Sequence, residues 1–108
     1  MNIGIDMELI KRFKLPRNHA FLKSVFTKNE LEYAFSRSSP QTHLCGFFCA
    51  KEAVRKVKKG KVVLMKQIEI AHKKNGEPIA RLKQGRNQTS YKISISHAGE
   101  YAVSCAIG

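Results

Sequence analysis

Between Leu44 and Lys58 the apolar positions fall at helical spacing. At about 100° per residue, Phe47, Cys49, Ala50, Ala53, Val54 and Val57 share one broad side. Lys51, Glu52, Arg55, Lys56 and Lys58 share the other, with Phe48 and Leu44 a turn earlier. The spacing predicts a long central helix over 44–58 whose apolar side needs a core, ended by Lys58-Lys59-Gly60. Upstream, Ile3 and Ile5 alternate with Gly4 and Asp6, which predicts a short strand over 1–6 with Asp6 at its C-terminal end. Residues 8–13 can open a helical turn, and His19 to Val25 reads as a short helix carrying Phe21, Leu22 and Val25. Thr27 with Glu30 three residues later forms a capping box for a helix from Lys28 to Phe35.

Downstream the period changes to two. Ile68 to His72 alternates, Asn75-Gly76 marks a hairpin, and Ile79 to Leu82 returns. Lys83 to Ser90 is polar and reads as a loop, while the short apolar run Val62 to Met65 fits helix or strand equally. Tyr91, Ile93, Ile95 and His97 share one face of a further strand. In the last strand Tyr101, Val103, Cys105 and Ile107 oppose Ala102, Ser104 and Ala106. The order predicts an α+β fold: a mostly antiparallel sheet packed against a long central helix and shorter helices.

The 108 residues suit a single domain over 1–108, and 43% apolar content excludes wholesale disorder. The formal net charge of +12 changes the picture more, because it implies an anionic partner. Three cysteines in apolar company, without a CxxC pair or Cys/His cluster, predict a reduced, cytoplasmic protein. No apolar run reaches the length of a membrane span, so no membrane partner is expected.

Within this cationic chain two carboxylates stand out. Glu52 sits among four cations on the outer side of the central helix. The plain reading is an i,i+4 pair with Lys56 on a solvated face. Asp6 at a strand end is either a turn or N-cap residue or a functional acid, with Gly4 permitting close approach beside it.

Three stretches then coincide in order: Gly4-Ile5-Asp6 with Arg12-Phe13 following, Phe48-Cys49-Ala50-Lys51-Glu52-Ala53 continuing to Lys56, and Ile93-Ser94-Ile95-Ser96-His97 with Tyr101-Ala102-Val103. Phe21-Leu22, Val25-Phe26-Thr27, Glu30-Leu31 and Asn75-Gly76-Glu77-Pro78 join the set. Together they resemble the 4′-phosphopantetheinyl transferases, above all the small holo-(acyl carrier protein) synthases, over nearly the whole chain.

The resemblance implies that family's fold and its reaction. The phosphopantetheine of coenzyme A passes to a serine of an acidic apo acyl carrier protein, as in fatty acid biosynthesis, releasing adenosine 3′,5′-bisphosphate. It implies Mg²⁺ on Asp6 and Glu52, and Lys56 and His97 at coenzyme A. It implies Arg12 toward the carrier, and homotrimers with active sites at subunit interfaces. The chemistry asks for such groups: Mg²⁺ takes one or two carboxylates plus phosphate oxygens. Lys51 and Lys56, on either side of Glu52, are expected to hold phosphate as point charges. Glu52 and Lys56 are thus the expected catalytic residues, with the general base either Glu52 or a water on the metal. The chain departs from the family pattern at Leu9, where an acid is usual, and at Lys58-Lys59-Gly60-Lys61. Two other readings stay open: a basic nucleic-acid-binding protein, or a degenerate family member serving as an interaction module. Neither needs Asp6 and Glu52 beside one metal, and no aromatic RNA-binding signature is present.

Overall fold

In the computed structural model, which describes residues 1–58 and 62–108, five strands form one antiparallel sheet. Strands β1 (Ile3–Leu9), β2 (Ile68–His72), β3 (Pro78–Gln84), β4 (Asn87–Ala98) and β5 (Tyr101–Ile107) lie in the order β1-β5-β4-β3-β2. Helices α1 (Ala20–Val25), α2 (Lys28–Phe35) and α3 (Pro40–Val57) precede β2 in the chain, with 3₁₀ turns at Ile10–Phe13 and Met65–Gln67. The α+β class read from the sequence is the one observed.

Helix α3 packs on the sheet face that carries small residues. Gly4 and Ala106 are buried there, as are Ala102 and Ser104. Small side chains let a helix approach the strands closely, and the limit is reached at Gly4, where a Cβ atom would lie 2.1 Å from the Ala53 carbonyl oxygen. The larger partners in the same strands, Ile3, Ile5, Met7, Tyr101 and Ile107, face outward and stay exposed.

The capping box forms as expected: Thr27 N–H donates to Glu30 Oε1, and Glu30 N–H donates to Thr27 Oγ1. Several boundaries move. Strand β1 runs on to Leu9, because Met7, Glu8 and Leu9 pair with Val103, Ala102 and Tyr101, so Asp6 is mid-strand and not at its end. Helix α3 begins at Pro40, whose missing N–H costs nothing at a first turn. The polar stretch 83–90 is no loop: β3 and β4 pair to Gln84↔Asn87, with Gly85 at φ 62° supplying the turn. Val62–Leu64 has no regular structure and Met65 opens a 3₁₀ turn. The glycine of the expected helix stop, and most of the departure at 58–61, lie outside the described residues.

Candidate functional site

Asp6 lies on the α3-facing side of β1, in line with Gly4 and Glu8. Lys56, near the end of α3, reaches across to it: Nζ donates to the Ile5 carbonyl at 2.7 Å and to Asp6 Oδ1 at 3.3 Å. Glu52 is one helical turn before Lys56, hence on the same flank of α3, and Oε1 accepts from Arg55 at 2.8 Å. Lys56 thus pairs with Asp6, while Glu52, on the same flank, pairs with Arg55 rather than with Lys56 as its i,i+4 spacing had suggested.

Asp6 Oδ2 is buried and has no hydrogen-bond partner among the described residues. A buried carboxylate oxygen left without a donor is costly unless something cationic completes it. The flank therefore offers an unsatisfied oxygen on Asp6 and a partly exposed carboxylate on Glu52, with Lys56 already on the other Asp6 oxygen. Among the described residues no cluster of three or more metal-ligating side chains occurs.

Lys51 is corrected by the structure. It does not share the outer face with Glu52. Its side chain is 0% exposed, and Nζ lies 2.6 Å from Glu30 Oε1 while donating to the Val25 carbonyl at 2.8 Å and the Met65 carbonyl at 3.2 Å. Three elements converge on one ammonium, leaving none of it for a ligand. Glu30 Oε2 accepts in turn from Ile70 N–H at 2.7 Å. Burial pushes the Glu30 carboxyl up and the Lys51 amine down, against their mutual attraction.

Arg12 is half-exposed, ion-paired with Glu8, and lies 5.7 Å from the ring centres of both Phe13 and Phe48. The hydrogen bond it donates to Glu8 holds its guanidinium above its usual range.

His97 is elsewhere. It lines a cavity of about 290 Å³ with His43, His72, Ser39, Thr42 and Phe47. That cavity opens on the other flank of α3, toward β2, β3 and β4, whereas Asp6 and Lys56 meet at the β1 side. From His43 to Glu52 the helix alone rises about 13 Å. Gly46 keeps this flank close-packed, since a Cβ atom there would lie 2.7 Å from Ile95 Cγ2. His43 and His72 had not been singled out from sequence. The signal for His72 was its place on the Ile68–Ile70 face of β2; His43 lies on α3 ahead of the stretch at 44 where the helix was expected to start.

The sequence profile of the 4′-phosphopantetheinyl transferase superfamily matches residues 2–106. The chain belongs to this superfamily. A holo-[acyl-carrier-protein] synthase of Caldicellulosiruptor saccharolyticus is 42% identical over 115 residues, covering 98% of this chain and 94% of that protein. Among solved structures, the Helicobacter pylori holo-[acyl-carrier-protein] synthase in complex with coenzyme A superposes with a TM-score of 0.81 at 27% identity, covering 98% of each chain. The Bacillus anthracis synthase, in complex with CoA (3′,5′-ADP), gives 0.76 at 30% identity, covering 96% of this chain and 91% of its own.

Proposed function

We propose that this superfamily member is a holo-(acyl carrier protein) synthase. It moves the 4′-phosphopantetheine of coenzyme A onto a serine of an apo acyl carrier protein in the cytoplasm, where its three free cysteines stay reduced. The observation that carries the reading is the buried Asp6 Oδ2, without a hydrogen-bond partner among the described residues, on the same flank as Glu52 and Lys56.

Asp6 and Glu52 would hold Mg²⁺, and the fit lies in that unsatisfied oxygen. Bound there, the ion neutralises charge on the pyrophosphate of coenzyme A. Lys56, tethered by the Ile5 carbonyl, presents a fixed positive charge to the same phosphates. The serine oxygen attacks the phosphorus that bears pantetheine, and the bond to the second phosphate breaks. Adenosine 3′,5′-bisphosphate leaves, and the serine proton passes to Glu52 or to a water. Arg12, on the Phe13–Phe48 surface, receives an acidic group of the carrier.

The nucleotide end belongs in the cavity under His97. Because that cavity and the Asp6–Lys56 flank lie on opposite sides of α3, a subunit boundary is where one coenzyme A would meet both. A homotrimer with active sites at its interfaces satisfies this, and the outward apolar residues of β1 and β5 offer the contact surface.

Incubation with coenzyme A, Mg²⁺ and a panel of apo carrier proteins, followed by mass spectrometry, is expected to show one phosphopantetheine added to a carrier. Glu52→Gln is expected to keep the fold and lose transfer by at least about a hundredfold. No transfer to any carrier, together with no binding of coenzyme A, would refute the reading.

A further inference from the structure

The cavity beside α3 has an unusual wall for a chain of net charge +12. It is lined by three imidazoles, His43, His72 and His97, and two hydroxyls, Ser39 and Thr42, with Phe47, Pro78 and Ile95 among its apolar walls. Among the described residues no lysine, arginine or carboxylate lines it. Fixed cations line a different cavity, of about 480 Å³, where Arg17, Lys23, Lys28 and Lys66 meet. A phosphate entering the histidine cavity therefore finds side chains whose charge depends on pH.

The surroundings of these histidines are set by five elements. His72 of β2 stacks on Tyr33 of α2, ring centres 4.2 Å apart and 5° from parallel, and lies 5.9 Å from Phe47 of α3. His43 of α3 meets the edge of the same Tyr33 ring at 5.7 Å. Arg37, between α2 and α3, lies 3.4 Å over Tyr33. His97 comes from β4, while β3 contributes Pro78, which does not titrate. Burial lowers His43 and His72 below the ordinary histidine value, and the positive charge of Arg37 lowers both further. Both effects favour the neutral rings when no anion is bound.

We propose that His43 and His72 join His97 in holding the ribose phosphomonoester of coenzyme A, and that this grip is proton-linked, tightening as pH falls. The proposal rests on the coenzyme A reading above. A phosphate dianion favours the charged imidazole and raises its pKa, so binding takes up protons. Affinity then rises as pH falls through the bound-state values, until the phosphate itself gains a proton near its second pKa of about 6. A resident metal is not the explanation for the trio, since among the described residues no three ligating groups converge at metal-binding distance.

The test is titration calorimetry of the intact protein at fixed ionic strength, at about pH 8 and about pH 6.5, both above the midpoint of the phosphate's own titration. Two buffers of different ionisation heat count the protons. The probes are coenzyme A and its analogue lacking the ribose 3′-phosphate. Coenzyme A is expected to bind about tenfold tighter at the lower pH, with proton uptake, and the analogue to change little. His43→Gln/His72→Gln, checked for fold by circular dichroism, is expected to flatten the coenzyme A slope. The single variants each flatten it in part and serve if the double variant fails to fold. A pH-independent affinity, an equal slope for both probes, or an unchanged slope in the variants overturns the proposal. Binding that is flat in pH leaves the coenzyme A reading standing; no binding of either probe at any pH removes both.

Discussion

Protonating His43 or His72 in the folded protein places charge in a partly buried wall beside Arg37, whereas the unfolded chain protonates them in water. Their folded pKa values lie below the unfolded value of 6.5, so the unfolded state binds more protons in the interval between. The stability they contribute is fully present above pH 6.5 and is lost as pH falls through the folded values. Thermal unfolding at constant protein concentration is therefore expected to show a lower Tm at mildly acidic pH than at neutral pH. His43→Gln/His72→Gln should reduce that difference. Glu30 acts in the opposite sense, because burial raises its carboxyl, but it is common to both proteins and cancels in the comparison. Equal Tm shifts in wild type and variant would show that the two rings titrate alike in folded and unfolded chains. At this scale the family resemblance grouped Asp6, Glu52 and Lys56; the structure brings Lys56 to Asp6, while Glu52 pairs with Arg55 and not with Lys56. The sequence was misleading at Lys51. A lysine on a charged helix stripe reads as solvated, and nothing local announces that Glu30, twenty residues earlier by rough count, will meet it inside the core.

Helix α3 is held at three places: by Gly4 against Ala53, by Gly46 against Ile95, and by Lys51 against Glu30. The last couples α3 to α2, to the end of α1 through the Val25 carbonyl, and to the 3₁₀ turn through the Met65 carbonyl. Removing one member of a buried pair strands the other charge, which typically costs about 3–5 kcal/mol. Denaturant unfolding of Lys51→Met is expected to show a loss of that order. Adding Glu30→Gln should recover part of it, because the amide oxygen still accepts from Thr27 or Ile70 while no charge is stranded. The same double variant separates a structural Lys51 from a ligand-binding one. Coenzyme A affinity close to wild type is expected, and a loss of about a hundredfold would mean that Lys51 meets phosphate after all. Element types were legible because period 3.6 and period 2 segments are well separated along the chain. Boundaries were not. Pairing with β5 carries β1 past Asp6, and pairing with β3 turns a polar stretch into hairpin, since edge and solvent-facing strand positions need no apolar pattern.

For the whole molecule, the decisive feature is what the helix layer leaves uncovered. In the β1–β5 register, Ile3 faces Ile107, Ile5 faces Cys105 and Met7 faces Val103, giving an outward apolar stripe along two paired strands. Ile3, Ile5 and Met7 are 71%, 61% and 60% exposed. Such a stripe on an edge strand invites a second copy. The alternation was visible in the sequence, but which face meets α3 depends on the fit of small residues under the helix, which spacing alone does not decide. Ile5→Glu is expected to shift sedimentation toward monomer and to lower transfer with it, although Ile5 contributes only backbone to the acid site. The sharper consequence concerns sharing. If each site takes Asp6, Glu52 and Lys56 from one subunit and His97 from its neighbour, Glu52→Gln and His97→Ala damage different halves of it. Mixed trimers formed by co-refolding equal amounts then regain activity, because some interfaces receive both intact halves. Random assembly with one site per interface gives about a quarter of the wild-type rate. Recovery near that level places the acids and the histidine on different subunits around one coenzyme A. A mixture no more active than its separate components would place the whole site within a single chain, and the opposite flanks of α3 would then need a ligand long enough to wrap the helix.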